Sequence, residues 1–521
     1  MRKVKQVVNE GDLLLGLDLG ISTARAGLFT PQGQLVALAA EEYLVMPGGN
    51  PREAEDETYW APIVRAISEL LRRWGGDPAS IVAVAVSSFG ETVFPLGHDG
   101  RLVRPPLIWS DTCSQGEADE LQAEVGARRV LETSGQPQIS PIWPITKMRW
   151  MAKNEPEPFR RTRCFLLPGD YILHRLSGEL AGDPTLWGSS LVMDIRSKTW
   201  ADDLVAFAGV TRAQLPPLYP SGTTVGSISA QCASETGLSP RTRVVVGAMD
   251  QMCAAVGAGN VSPGVVTEST GSVLALLITI PQPIFDAETK VPCHIHALPQ
   301  TYCLLPWNPT GGLTLKWFKD RFAPADAQGK SDPYELLTAE AAGVPPGCDG
   351  LVMLPHLEGA LYPEFDAAAR AVFFGFTLGH TRGHFTRAIL EAVAYMMRRD
   401  LAGIRGLGAD PREVRSLGGG AKSRLWAQIK ADVLGLPVVV PAQSEAAALG
   451  AALLAGVGAG LYPDIPAAVQ AMVQVGDPVA PNTAHRATYD AAFDLYVALY
   501  EALRPLFPRS AALHRQRSSP A

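Results

Sequence analysis

Apolar residues near the start of the chain form short blocks separated by turn signals. Three such blocks lie between residues 13 and 42, divided by a Gly/Ser/Thr turn and by a Pro-Gln-Gly sequence. Each block is apolar enough to be mostly buried, so the pattern predicts three strands joined by tight turns. Apolar residues at helical spacing then predict a helix near 57–74, and the apolar block 81–89 predicts another strand.

A second strand-turn-strand pattern occurs at residues 264–278, where Ser, Thr and Gly again lie at the bend between two apolar strands. Strands and helices alternate to the end of the chain, which predicts an α/β protein with mixed sheets covered by helices. The similarity of the two patterns suggests that the second half duplicates the first. A chain of 521 residues also exceeds what one hydrophobic core supports. We therefore expect two domains, at residues 12–260 and 261–505.

One hairpin is expected between these patterns. The sequence Thr-Val-Phe-Pro-Leu at 92–96 is followed by an Asp-Gly turn signal and by Arg-Pro-Pro-Leu-Ile-Trp at 104–109. Asp-Gly favours the tight turn of a β-hairpin.

The composition and charge of the chain limit the classes of partner that it can be expected to bind. A formal charge of −7 without a basic cluster does not suit a nucleic-acid surface. No apolar run reaches the ~18 residues that a membrane span needs, and the first residues do not have the pattern of a secretory signal. The seven cysteines form no CxxC pair, which favours reduced thiols and a cytoplasmic location. We expect a small-molecule partner and neither nucleic acid nor membrane.

Two glycine-rich segments are candidate phosphate-binding turns. In Asp-Leu-Gly-Ile-Ser-Thr-Ala-Arg at 18–25, small residues permit close approach to a ligand, and Asp18 at the end of a strand could hold a hydrated divalent cation. An ordinary β-turn is the alternative. At 416–441 a strand leads through three glycines into a helix, where backbone amides and the helix dipole favour a flat or anionic ligand. The segment at 416–441 is neither a Walker loop nor a Rossmann fingerprint.

A third segment, Gly-Ala-Met-Asp-Gln-Met-Cys-Ala-Ala-Val-Gly-Ala-Gly at 247–259, places an acid and an amide before a run of small residues. Asp250 and Gln251 are polar residues in an otherwise apolar segment, which marks them as candidate functional residues.

Five segments together resemble the FGGY family of carbohydrate kinases, within the actin, Hsp70 and hexokinase superfamily. They lie, in the family's order, at 16–25, 247–259, 311–322, 373–397 and 418–438. The resemblance spans roughly residues 13–500 and implies two actin-like (ribonuclease H-like) domains, each a mixed β-sheet flanked by helices, with a cleft between them. It assigns sugar binding, the first phosphate loop and the catalytic aspartate to the N-terminal domain. The second phosphate loop and adenosine binding fall in the C-terminal domain.

The resemblance also implies residue roles. Asp250 matches the catalytic aspartate, the general base for the acceptor hydroxyl, and Gln251 matches a neighbour that contacts substrate; the small residues behind them are expected to let the following helix pack closely. Asp18 matches the aspartate near Mg²⁺, which the resemblance implies is contacted through water. The ATP contacts implied are the first phosphate loop (Gly20, Ser22, Thr23, Arg25), the second (Thr270, Gly271, Ser272) and the adenosine turn (Gly419, Gly420, Ala421). The second loop reads Ser-Thr-Gly-Ser in place of the family's usual Gly-Thr-Ser-Gly. A branched side chain at Gly420 is expected to block the nucleotide and leave the fold intact.

The substrate pocket departs from the family pattern. Pentulose kinases that resemble xylulokinase carry a Gln-Met-His run where this chain has Phe89, Gly90, Glu91 and Thr92. Glu91-Thr92 looks more like the Arg-Glu-Thr of glycerol kinase, without its arginine. Trp109 and Asp111 match a Trp-x-Asp motif, but Cys113 stands where an arginine commonly follows. A carboxylate at Glu91 still suits a polyhydroxylated ligand.

The resemblance implies ATP-dependent phosphorylation, with Mg²⁺, of a hydroxyl on a ketopentose of the xylulose type or a related short ketose or polyol. Glycerol kinase-like activity is the alternative, and a non-catalytic, nucleotide-dependent sugar sensor on the same fold is a third hypothesis. His294 and His296, with Cys293 and Cys303 nearby, raise a zinc hypothesis, although the family has a similar segment without metal. The oligomeric state is left open, with a homodimer as the candidate.

Overall fold

The computed structural model describes residues 11–43, 57–322 and 332–515. The strands are β1 (Leu13–Leu19), β2 (Thr23–Phe29), β3 (Leu35–Glu42), β4 (Ile81–Ser88), β5 (Phe94–Gly97), β6 (Thr162–Leu166), β7 (Met193–Asp194), β8 (Thr199–Trp200), β9 (Thr224–Ser227), β10 (Arg243–Met249), β11 (Val265–Thr270), β12 (Leu274–Ile280), β13 (Cys293–Ile295), β14 (Tyr302–Leu304), β15 (Trp307–Asn308), β16 (Val352–Leu354), β17 (Val372–Phe374), β18 (Glu413–Leu417) and β19 (Val438–Val439).

The helices are α1 (Glu57–Trp74), α2 (Gln115–Glu124), α3 (Ala127–Ser134), α4 (Pro144–Asn154), α5 (Pro156–Arg161), α6 (Pro168–Ser177), α7 (Pro184–Trp187), α8 (Asp202–Phe207), α9 (Ala230–Thr236), α10 (Asp250–Gly257), α11 (Gly312–Phe322), α12 (Pro333–Ala342), α13 (Arg382–Gly406), α14 (Arg424–Leu434), α15 (Ala446–Gly458), α16 (Ile465–Met472), α17 (Arg486–Leu503) and α18 (Phe507–Arg515). The strands and helix predicted at 13–42, 57–74 and 81–89 are confirmed. Within the described part of the chain, no helix is long and apolar enough to cross a bilayer.

The chain folds into two compact units that are not contiguous in sequence. The first unit contains the chain up to Val261 together with Thr279–Cys303 and Ala442–Gln474. The second contains Ser262–Ile278, Leu304–Pro441 and the chain from Val475 onward. A first change of unit at Val261 lies beside the expected boundary at 260, but two later segments return to the first unit. A division into two continuous ranges therefore does not describe these units.

The first unit contains a six-stranded mixed sheet in the order β3-β2-β1-β4-β10-β9. β1 pairs antiparallel with β2 and parallel with β4, and β4 pairs parallel with β10. The carboxyl ends of β1, β4 and β10 therefore meet at one edge of this sheet, where chemistry-bearing residues that follow each strand can come together.

Close packing of α15 on β1 and α10 explains why residues 442–474 belong to this unit. A Cβ atom on Gly16 would lie 1.9 Å from the carbonyl oxygen of Ala448, and one on Gly257 would lie 1.9 Å from that of Ala446. Gly450 makes the reciprocal approach to Cys253 of α10. Only glycine allows backbones to approach this closely. The small residues that follow Asp250 thus serve the packing of α10 against α15.

The second unit repeats the pairing of the first. β11 is antiparallel to β12 and parallel to β18, just as β1 is antiparallel to β2 and parallel to β4. β18 pairs parallel with β19, and β15 pairs with β12. These matching pairings support the predicted duplication. α13 carries buried residues along most of its length, and each unit is a mixed sheet with helices, as predicted.

The hairpin expected after Thr92 differs from the prediction. Its second arm contributes only isolated bridges, Val93 to Leu107 and Leu96 to Leu102. The regular partner of β5 is instead β6, in antiparallel pairing. Pro105 and Pro106 in the expected second arm lack the N–H groups that a continuous ladder needs.

Candidate active site

Asp250 begins α10 directly after the buried strand β10. The end of this strand is held from the side, because the amide of Met249 donates to the Thr185 hydroxyl over 2.8 Å and that hydroxyl donates to Asp183 over 2.7 Å. The half-buried carboxylate of Asp250 accepts a 2.6 Å hydrogen bond from the backbone N–H of Gln251. Burial raises the pKa of Asp250 to about 7, and the negative charges of Asp18 and Glu91 add to the effect. A carboxyl group with this pKa can accept a proton near neutral pH.

Asp18 lies near the end of β1, in the same unit. Its carboxylate accepts a 2.8 Å hydrogen bond from the Ser87 hydroxyl of β4 and lies 3.4 Å from the guanidinium of Arg25. Arg25 is also 3.5 Å from Glu445, so one guanidinium faces two carboxylates. Burial raises the pKa of Asp18, while Ser87 and Arg25 oppose the rise. Arg25 thus partly balances the charge of Asp18, and the remaining negative charge of Asp18 adds to the rise in the pKa of Asp250.

The turn after β1 is fixed by its own backbone and by Tyr43. The amide of Gly20 donates to the carbonyl of Thr23 over 3.0 Å, and the amide of Tyr43 donates to the carbonyl of Ser22 over 2.9 Å. The Tyr43 hydroxyl donates to the carbonyl of Gly20. Ser22 is exposed and Thr23 is half-buried, so this turn is ordered and still offers donors at its surface.

Glu91 follows β4 and occupies an unusual backbone conformation. Its φ is 65°, in the left-handed region that favours glycine, and holding such a conformation costs about 1–3 kcal/mol. The Ser189 hydroxyl donates to the Glu91 carboxylate over 2.8 Å. Burial raises the pKa of Glu91, and the bond from Ser189 partly opposes the rise. The strained backbone and the bond from Ser189 together fix the direction of this carboxylate.

The remaining predicted substrate residues lie in two different environments. Thr92 is buried, and its hydroxyl accepts a 3.2 Å hydrogen bond from the amide of Trp109. Asp111 is exposed, and its carboxylate accepts a 2.8 Å bond from the amide of Cys113. Thr92 therefore positions Trp109, whereas the exposed Asp111 carboxylate, bonded to the Cys113 backbone, can accept further hydrogen bonds from solvent or a ligand.

Lys147 is a charged residue at this site that the sequence patterns did not single out. Its buried ammonium donates to the carbonyl of Asp111 and lies 3.9 Å from the sulfur of Cys113. Burial lowers the pKa of Lys147. A positive group from α4 thus stands beside the position where the family pattern expects an arginine. No local motif marks it, because it comes from a helix distant in sequence.

In the second unit, a cavity of about 520 Å³ lies between the predicted second phosphate loop and the predicted adenosine turn. Five of the six residues predicted there line it, namely Thr270, Gly271, Ser272, Gly419 and Gly420. A volume in the range of about 300–1,000 Å³ is typical of sites for small ligands.

Both walls of this cavity have ordered backbones. The amides of Gly312 and Gly311 donate to the carbonyls of Gly271 and Ser272 over 2.8 and 2.9 Å, which joins the loop to the start of α11. On the other wall, Gly418 has a φ of 74° and is followed by a single 3₁₀ turn, Gly419–Lys422. The Ser423 hydroxyl then caps α14.

The histidine pair at 294 and 296 is buried, and burial lowers the pKa of each to about 4. The Nε2 atom of His294 lies 3.4 Å from the side-chain amide nitrogen of Gln136. The sulfur of Cys303 lies 3.7 Å from the sulfur of Met252. Among residues 11–43, 57–322 and 332–515, no group of three or more His, Cys, Asp or Glu side chains could hold a metal ion. The described residues therefore provide no set of ligands that would support the zinc hypothesis.

Comparison with known proteins finds relatives that match most of the chain. Residues 13–257 match the model of the N-terminal domain of the FGGY family of carbohydrate kinases, and residues 270–459 match that of the C-terminal domain. The chain is 28% identical to xylulose kinase of Bacillus subtilis (strain 168), over 84% of this chain and 86% of that one. It is 30% identical to autoinducer-2 kinase of Yersinia enterocolitica, over 84% and 85% of the two chains.

A solved structure shows the same fold. The structure of xylulose kinase from Rhodospirillum rubrum superposes with a TM-score of 0.85 at 30% identity, covering 95% of this chain and 99% of that one. The chain belongs to the FGGY family of carbohydrate kinases. It is an ATP-dependent phosphotransferase that acts on a small carbohydrate, and the sensor hypothesis is set aside.

Proposed function

We propose that this kinase phosphorylates a hydroxyl group of a ketopentose of the xylulose type, or of a related short ketose or polyol. ATP is the proposed phosphoryl donor and Mg²⁺ the proposed metal cofactor. Relatives named xylulose kinase support the choice of a ketopentose. The observation that carries the mechanism is the position of Asp250 at the start of α10 with a pKa of about 7.

In the proposed mechanism, Asp250 accepts the proton of the acceptor hydroxyl as the oxygen attacks the terminal phosphorus of ATP. The bond between that phosphorus and the oxygen bridging to the β-phosphate breaks, and ADP leaves. Phosphoryl transfer depends mainly on positioning and charge stabilisation, and a base of this pKa supplies the remaining proton acceptor. Glu91, held by Ser189, accepts a hydrogen bond from another sugar hydroxyl and orients the ligand. Gln251, Trp109 and Asp111 are the other proposed substrate contacts.

The acids of the first unit fit a divalent cation. Burial raises the pKa of Asp250, and the negative charges of Asp18 and Glu91 add to the rise, so a divalent cation near these acids would be favourable. Asp18 is the proposed Mg²⁺ contact and would act through water, because Mg²⁺ usually keeps several of its water ligands. Bound Mg²⁺ would neutralise charge on the phosphate groups.

The nucleotide contacts are proposed on three turns. The first phosphate loop is proposed to contain Gly20, Ser22, Thr23 and Arg25. The second is proposed to contain Thr270, Gly271 and Ser272, and the adenosine turn Gly419, Gly420 and Ala421. Ala421 does not line the cavity, so its contribution is proposed to be through the shape of the turn.

The substrate assignment is tested by measuring ADP release from purified protein against a panel of ketopentoses, ketohexoses, aldoses, aldonic acids and glycerol. We expect the highest kcat/KM for a ketopentose. Highest activity with glycerol would favour the alternative suggested by Glu91 and Thr92, and activity with an aldonic acid alone would contradict both assignments. The cytoplasmic location and the homodimer remain predictions.

A further inference from the structure

A fully buried ion pair lies beneath the proposed second phosphate loop. Lys430 of α14 and Glu268 of β11 both have 0% exposed side chains, and the ammonium nitrogen lies 2.7 Å from the carboxylate. Both ions therefore lose their hydration, and such a pair is weak evidence for a purely stabilising role, because apolar residues of similar volume often serve as well. Its position calls for a different explanation.

The partners of this pair satisfy the three donors of the ammonium group. Besides Glu268, Lys430 donates to the hydroxyls of Ser416 over 3.1 Å and Thr270 over 3.3 Å. Ser416 in turn donates to Glu268 over 2.5 Å, and Thr270 donates to the other carboxylate oxygen. The hydroxyl of Thr270, the last residue of β11, is thereby fixed in direction. The buried network sets the geometry at which the loop leaves its strand.

The same lysine also supports the opposite wall of the cavity. Its ammonium lies 5.0 Å from the centre of the Trp426 ring, and Trp426 lines the cavity beside the adenosine turn. The two walls touch each other, since a Cβ atom on Gly420 would lie 2.9 Å from that of Thr270. A shift of Lys430 would therefore move both walls.

We infer that Lys430, together with Glu268, is a positioning residue for the nucleotide. It holds the second phosphate loop and the adenosine turn at the separation that ATP requires, without touching ATP itself. This inference rests on the proposed nucleotide site. It predicts that the ion pair affects binding of ATP and leaves binding of the sugar unchanged.

The test is the double variant Glu268→Gln/Lys430→Met, which removes both charges and leaves no unpaired buried ion. We expect this variant to fold, to bind ADP at least tenfold more weakly by calorimetry, and to show a matching increase in the KM for ATP. The KM for the sugar should stay within about twofold of the wild-type value. A folded double variant with wild-type ADP affinity would overturn the inference.

A matched control separates positioning from general loss of stability. Arg387 and Glu391 form another buried ion pair in the second unit, at 2.8 Å, and neither lines the cavity. The control variant Arg387→Met/Glu391→Gln should keep the ADP affinity of the wild type. Equal weakening in both variants would also overturn the inference.

Two further measurements keep the outcome clear. If the Glu268/Lys430 double variant does not fold, Ser416→Ala removes one partner of Lys430 without changing charge, and unchanged ADP affinity in that variant would contradict the inference. Failure of the proposed function itself would be seen separately, as wild-type protein that binds no ADP or phosphorylates no sugar.

Discussion

Asp250 carries the chemistry in the proposed mechanism, and its replacement by Asn keeps size and shape while removing the proton acceptor. We expect Asp250→Asn to lower kcat by about 10²–10⁴, the usual contribution of general base catalysis. The Kd for each ligand should change by less than about tenfold, or ~1.4 kcal/mol. Steady-state kinetics and calorimetry provide the measurements.

The competing role for Asp250 is structural, because its carboxylate accepts a bond from Gln251 in the first turn of α10. In that case the variant would lose up to about 1 kcal/mol of stability and little activity. Asp194→Asn is a suitable control, since Asp194 also accepts backbone bonds, from Arg196 and Ser197, in a turn of the same unit. Near-normal kcat in Asp250→Asn would rule out the base.

The pKa of Asp250 makes the reaction sensitive to pH. The base acts when deprotonated and burial raises its pKa to about 7, so kcat/KM for the sugar should fall about tenfold per pH unit below 7. Because the charge of Glu91 contributes to that rise, Glu91→Gln should move the midpoint to lower pH. Since Glu91 is proposed to bind sugar, the variant should also raise the KM for the sugar more than that for ATP. A profile that is flat between pH 5.5 and 8 would contradict the assignment.

Among the turns, the adenosine segment shows why neighbouring glycines are not equivalent. A Cβ atom at Gly419 would meet nothing within 4 Å, whereas one at Gly420 would lie 2.9 Å from Thr270 and 3.2 Å from Trp426. The sequence favoured Gly420 for a blocking substitution that leaves the fold intact. In the structure that substitution would disturb packing, and Gly419 is the better position.

We therefore expect Gly419→Val to fold normally and to raise the KM for ATP by about tenfold or more, because its side chain enters the cavity. Gly420→Ala should instead lower the free energy of unfolding by about 1–3 kcal/mol through overpacking. Thermal melting and ATP kinetics on the two variants distinguish these effects. Equal ATP kinetics in Gly419→Val and wild type would place the nucleotide elsewhere.

For the chain as a whole, nucleotide binding should appear as a gain in stability. A ligand present at 100 times its Kd stabilises the folded state by about 2.7 kcal/mol, so ADP should raise the Tm measured by calorimetry. Asp250→Asn should show the same increase, because its ligand contacts remain. Gly419→Val should show little or none. An increase of the same size in Gly419→Val would contradict the proposed nucleotide site.

Local signals in the sequence predicted many of the secondary-structure elements and candidate site residues of this protein. Alternating apolar blocks and turn residues predicted β1, β2 and β3 and the helix α1, because strand and helix periodicity are properties of short segments. The glycine-rich turns and Asp250 were also marked by their neighbours in the chain. Five such segments in order were enough to indicate the family.

Long-range pairing decided the rest. Ser189 reaches Glu91 from 98 residues away, and Lys430 reaches Glu268 from 162 residues away, with no motif linking either pair. The return of residues 442–474 to the first unit depends on glycines in β1, α10 and α15 whose close approach exists only after folding. Side-chain spacing along one segment carries no information on which distant segment packs against it. The fold class and the candidate residues could therefore be predicted from the sequence, whereas the partners that orient those residues and raise their pKa values were set by tertiary structure.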